Sequence, residues 1–187
     1  MVPDDIQRLD DELDAAERDA DALVAGVSEV VGTWRAEPGS WSMAECLDHL
    51  ATANRVYVEA MREAATRARA QHKHRRRPAR PGLVGGWFVG WLEPPVKPRM
   101  RGRAPKKIRP RPSPALADAY ASFKGSQIEV REFLRAHSDL DLTGVRFRNP
   151  FVAGVRFSLA TGLHVIPAHE RRHLWQAWNV RRAAERR

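Results

Sequence analysis

The stretch "SMAECLDHLATANRVYVEAM", residues 42–61, decides the fold. Ser42 stands where a helix N-cap belongs and Glu45 follows three residues later, so each side chain can satisfy the other's free backbone N–H in a capping box. With no proline until Pro78, the helix is expected to run from about Met43 to Gln71. Two stripes lie side by side on it at three- and four-residue spacing. One is Ala44, Leu47, Ala51, Asn54, Val58 and Met61; the other is Cys46, His49, Ala53, Val56 and Ala60. A surface that is apolar over this width needs cover from more than one neighbour.

The rest of the chain supplies those neighbours. Upstream, Ile6, Leu9, Leu13, Ala16, Ala20, Leu23, Val27 and Val30 repeat at helical spacing, and "AEPGSW" (36–41) ends the pattern. Downstream, Pro114 after Ser113 opens a third helix, with Leu116, Tyr120, Phe123, Gln127, Val130 and Leu134 as its seam. "DLDLTGVRFRNP" (139–150) reads as loop. A fourth helix spans roughly 157–184, with Leu159, Gly162, Ile166, His169, His173, Ala177 and Val180 in line. Pro167 within it predicts a kink or a later start. Four such helices predict an all-α four-helix bundle, one domain over 1–187. The connector of about forty residues between the second and third helices exceeds what a hairpin needs. It is long enough for a crossover that leaves them parallel.

Composition narrows the setting. The 187 residues are 43% hydrophobic, enough for a packed core. One cysteine, Cys46, excludes an internal disulfide framework and suits a reducing, cytoplasmic setting. The acidic start, "MVPDDIQRLDDELD", does not read as a signal peptide. "GLVGGWFVGWL" (82–92) is about half of a membrane span, so no transmembrane segment is expected. Its Leu83, Trp87 and Trp91 are four apart and predict a short helix lying on the body. The net charge of +9 is unevenly spread. A basic, Pro-rich insert at about 73–112 holds thirteen Lys/Arg against one acid, Glu93, a net of +12 that leaves the remainder at −3. The same segment holds eight of the thirteen prolines.

The chemistry gathers at "HERRH" (169–173). His169 and His173 share one helix face, and that face is the apolar seam. Two imidazoles one turn apart in a buried stripe must have their lone pairs satisfied. Either a divalent metal or two separate hydrogen bonds would do so. A zinc-protease reading of His-Glu-x-x-His lacks a third ligand, since fourteen residues follow His173 and Gln176 stands where that pattern wants glycine. His49, on the seam of the second helix, is the better third ligand, with Cys46 one turn away as a rival. Glu170 faces about a quarter-turn from the pair and reads as a surface salt-bridge partner of Arg171 or Arg172, or as a general base. Gln176 can hydrogen-bond a ligand or a bound water. Asp48 reads as a similar supporting group or as part of a solvated face. His72 and His74 read as solvated, His137 as a helix-end cation, and His164 as turned away from the pair.

"WSMAECLDHL" (41–50) and "HERRHLWQ" (169–176), with the four-helix layout and the long second connection, resemble the DinB-like superfamily. The resemblance implies a cytoplasmic bundle that binds zinc or nickel through His49, His169 and His173, with dimers common. It also implies use of a low-molecular-weight thiol, as in thiol S-transferases and a thiol-dependent isomerase, or a related hydrolase activity, on a small-molecule substrate. Glu170 and Gln176 are the candidate catalytic residues. The basic insert and Pro167 depart from the plainer pattern. The rival reading is a non-catalytic module that binds nucleic acid or an anionic surface through the insert. It is disfavoured because prolines interrupt each basic run and no nucleic-acid motif is present.

Overall fold

A computed structural model describes residues 2–95 and 104–187. Helices α1 (Asp4–Val24), α3 (Met43–Ala70), α5 (Leu116–His137) and α6 (Leu159–Ala184) form the bundle. Short helices α2 (Glu29–Thr33) and α4 (Leu83–Leu92) and an antiparallel hairpin, β1 (Arg146–Arg148) and β2 (Arg156–Ser158), lie around it. α3 packs on α5 and α6, and α1 packs on the same two helices. Cross-helix bonds give the directions. Arg55 reaches Glu129 and Arg69 reaches Asp139, so α3 and α5 run parallel. Glu12 meets Arg171 and Asp19 meets Trp178, so α1 and α6 run parallel too. The long connection is therefore the expected crossover.

The capping box forms as the sequence requires. Ser42 Oγ accepts from the Glu45 backbone N–H at 3.2 Å, and Glu45 Oε2 accepts from the Ser42 N–H at 2.9 Å. Other boundaries differ from expectation. The first helix stops at Val24 because Gly26 turns left-handed (φ 70°) and Ser28 caps a new helix, leaving Val30 exposed. α5 begins two residues after Pro114: Ser113 is itself left-handed (φ 47°), and Glu29 of α2 accepts from the Leu116 N–H at 2.7 Å. The stretch read as loop contains β1, whose Phe147 pairs with Phe157 of β2, both rings buried. α6 begins at Leu159, capped by Ser158, and Pro167 lies inside it.

The connector contributes to the core, because Ala79, Leu92 and Ile108 are buried. On α4 the Leu83–Trp87 edge faces solvent, while Phe88, Val89 and Trp91 pack on the core. Gly85 sets that orientation, since a Cβ there would lie 2.4 Å from Thr161 Oγ1. Lys97, Arg99, Arg101 and Arg103 of the basic insert fall outside the described residues. Among the described residues no helix is long and apolar enough to cross a membrane.

The core is divided along the bundle. One apolar cluster gathers Leu9, Leu13, Met61, Phe133, Leu134 and the hairpin phenylalanines. The other gathers Leu23, Met43, Leu47, Leu50, Phe123 and Leu174. Between them in sequence on α3, α5 and α6 stand buried Asn54, Ser126, Gln127 and Glu170. This polar layer leads to the site.

Candidate metal centre

Three histidines from two antiparallel helices meet beside that layer. His49 comes from the first turns of α3, and His169 and His173 from one face of α6. Their ligating nitrogens all lie within 4.8 Å of one another. His49 Nε2 is 3.2 Å from His169 Nε2. The His173 ring centroid lies 4.4 Å from that of His49 and 4.6 Å from that of His169. Two imidazole nitrogens bound to one tetrahedral zinc are about 3.3 Å apart, given Zn–N distances near 2.0–2.1 Å. The residues present fit a divalent ion.

Each ring is held by its surroundings. Trp41, immediately before the Ser42 cap, packs with its ring centroid 4.7 Å from His49 and 5.6 Å from His173. The capping box that starts α3 therefore also places an aromatic wall behind the histidines. Arg35 grips Glu45 through Nε at 2.8 Å and Nη2 at 2.5 Å, tying that cap to the preceding chain. His173 Nδ1 is 3.1 Å from Gln176 Oε1, and His49 Nδ1 is 2.5 Å from the Ile108 carbonyl oxygen. Both acceptors place the proton on Nδ1 and leave Nε2 as the free lone pair.

Burial keeps the trio neutral. It lowers His49 to about 4, against smaller upward pulls from Ile108 and Asp48. Burial, reinforced by His49 and the Arg172 cation, holds His169 well below the ordinary imidazole value. Burial followed by the neighbouring His169 and His49 does the same to His173. Neutral imidazole is the form that donates to a metal.

The remaining expectations sort by place. Cys46 is buried and outside the convergent set, and burial keeps its thiol protonated. Asp48 is not on a solvated face. It is 3% exposed, and its carboxylate takes the Arg111 backbone N–H at 2.8 Å and Arg111 Nε at 2.7 Å. Glu170 is no surface ion-pair partner either. It is 0% exposed, with Asn54 Nδ2 donating at 2.7 Å and Gln127 Nε2 at 3.1 Å. Arg171 pairs instead with Glu93 and Glu12. Burial raises Glu170 to about 7, against the lowering hydrogen bonds. His164 turns away to the Ala79 carbonyl, and His137 closes α5 over the Phe133 carbonyl. His72 and His74 are exposed. Sequence reasoning missed Trp41 as a wall, Ile108 as an acceptor, and Arg111 as a partner of Asp48. Only Trp41 carried a signal, as the residue before a helix cap.

The family model of the DinB superfamily matches residues 12–177. That span covers most of the chain, which belongs to this superfamily. No curated protein and no solved structure matches it.

Proposed function

We propose that this member of the DinB superfamily holds one divalent ion, zinc or nickel, between His49, His169 and His173, and that the site serves a metal-dependent reaction of a low-molecular-weight thiol. The observation that carries the reading is the 3.2 Å approach of two imidazole Nε2 atoms inside a trio whose nitrogens lie within 4.8 Å. A shared cation would take a lone pair from all three rings at once, whereas without one the 3.2 Å gap between His49 and His169 holds at most a single N–H···N bond. A bound divalent ion would lower the pKa of a water or thiol at its open position.

The protein's own groups fit that use. His169 is half-buried, which leaves a way in from solvent. Arg172 lies close enough to depress both His169 and His173, and its guanidinium stacks on Trp91 at 5.1 Å. A cation at the rim favours an anionic ligand, such as a carboxylate-bearing thiol, over a neutral one. Gln176 orients His173. Glu170 is best read as a positioning group, because both its oxygens are bonded within the layer between α3 and α5. That bonding also removes it from the general-base role a protease would need. The nucleic-acid reading loses two of its cations, since Arg75 pairs with Asp5 and Arg111 with Asp48.

The test is a chelator-competition titration with zinc and with nickel, joined to elemental analysis of the purified protein. One ion per chain is expected. His49→Ala should weaken binding by more than the roughly 100-fold upper end of changes outside the ligand set. A wild-type protein with no metal and no measurable uptake rejects the reading.

A further inference from the structure

The connector between α3 and α5 reaches the histidine site through its backbone, at a place where no side-chain chemistry announces it. Lys106–Ile108 form a short 3-10 turn, with Ile108 4% exposed. The turn directs the Ile108 carbonyl at His49 Nδ1, 2.5 Å away. Three residues on, Arg111 lies across Asp48, the residue before His49 in sequence. The Arg111 N–H meets Asp48 Oδ2 at 2.8 Å, while its Nε and Nη2 meet Oδ1 at 2.7 Å and 2.6 Å. Pro105, Pro110 and Pro112 restrict the backbone on either side of these contacts. The strut from Ile108 to Arg111 is short and stiff, and it is fastened at both ends to neighbouring residues of α3.

We propose that this segment is a tautomer clamp: Ile108 and Arg111 are positioning residues that lock the proton of His49 on Nδ1 and aim Nε2 at the metal position. The inference rests on the metal reading for its consequence, but its structural content does not. A carbonyl oxygen accepts only, so a neutral His49 bonded to it must carry the proton on Nδ1. Among the described residues the buried Asp48 carboxylate takes its three bonds from one connector residue, Arg111, which ties the connector to the residue before His49. Arg111 is exposed over 62% of its side chain, so its value is not in filling the core. The arrangement parallels His173, where Gln176 Oε1 plays the carbonyl's part at 3.1 Å. In His173 the acceptor comes from the same helix one turn on; in His49 it comes from fifty-nine residues away. The clamp thereby makes competence of the site depend on docking of the connector.

The variants are Arg111→Ala, Arg111→Lys and Asp48→Asn, compared with wild type in the full chain, with helix content by circular dichroism as the control for folding. Two readouts apply. Imidazole nitrogen shifts of the metal-free protein report the His49 tautomer. Zinc competition reports affinity. The Nδ1–H form is expected to dominate in wild type and to give way to a mixture in Asp48→Asn. Affinity should fall about tenfold in Arg111→Ala and up to about 100-fold in Asp48→Asn, the range for groups that orient a ligand. Arg111→Lys, which keeps the charge and the backbone bond, should recover most of the loss. Unchanged tautomer and affinity within about twofold in both Arg111→Ala and Asp48→Asn would overturn the clamp. If wild type takes up no metal, the metal reading fails alone, and the tautomer shift still decides whether the clamp exists.

Discussion

His169 and Glu170 are neighbours on α6, the first half-buried and the second wholly buried, and they are satisfied in opposite ways. Glu170 is wrapped by donors: Asn54 from α3 and Gln127 from α5 supply its hydrogen bonds, and Asn54 passes a second one to Ser126 at 3.1 Å. His169 Nε2 meets His49 Nε2 at 3.2 Å, where the tautomer decides which ring donates. The buried Glu170 carboxyl is met by donors from within the protein, with Gln127 Oε1 the atom of this layer left without a partner among the described residues. Three ring nitrogens within 4.8 Å of one another suit a cation. The same turn of helix therefore holds a closed network that sets how α6 meets α3 and α5, and an open one that asks for a ligand. The two should respond to different experiments.

The largest expected effect breaks the closed network. Glu170→Ala strands two buried amide donors and leaves a void. It should lower unfolding free energy by about 4 kcal/mol, combining about 1–3 kcal/mol per unsatisfied group with a cavity term. Chemical denaturation of metal-free protein measures it. Little loss of stability would mean that the layer does not hold the bundle. Metal stoichiometry of the folded fraction should stay at the wild-type value, because no ligand is touched.

A milder change removes only the charge. Burial holds Glu170 near 7, above the ordinary value of 4.5. The folded state thus keeps a proton that the unfolded state has released. The associated stability is full below about pH 4.5 and is lost as pH rises through about 7. Glu170→Gln cannot lose that proton. The difference in unfolding free energy between it and wild type should therefore shift by on the order of 2 kcal/mol in favour of the variant between pH 4.5 and 8. A difference that stays flat across this window would show that Glu170 titrates as an ordinary carboxylate.

The same contrast shows what the sequence could carry. The capping box of Ser42 and Glu45 is local chemistry at fixed spacing, and the histidine pair of α6 lies one turn apart on a seam. Both were legible, as was the bundle that brings His49 to them. Glu170 was not, because its basic neighbours Arg171 and Arg172 suggest an outer face. Yet α6 packs against α1, α3 and α4 at once and buries nearly its whole circumference. Asp48 was misread for a similar reason, since its cover comes from the connector, sixty-three residues away. The Ile108 carbonyl had no signal at all, as every residue carries one. The hairpin did have one: Val-Arg-Phe occurs at 145–147 and again at 155–157, with Asn149, Pro150 and Gly154 between. The first helix likewise carried its own stop, Gly26 followed by Ser28.

The smallest predicted effect falls on the open network. Gln176 offers its side-chain oxygen to His173 Nδ1 at 3.1 Å and is only half-buried. Gln176→Ala removes the acceptor that keeps the proton off Nε2 but leaves no stranded group, since water reaches the vacated position. Unfolding free energy should move by less than about 0.5 kcal/mol, as for surface changes generally. Zinc or nickel affinity should fall about tenfold, the lower end for a group that orients a ligand. Gln176→Glu, which keeps an oxygen acceptor at the same reach, should restore it. The pattern is the reverse of Glu170→Ala, which costs stability and spares the metal. If Gln176→Ala instead destabilises the fold without weakening metal binding, the residue belongs to the packing of α6, and His173 is oriented by Trp41 and its helix alone.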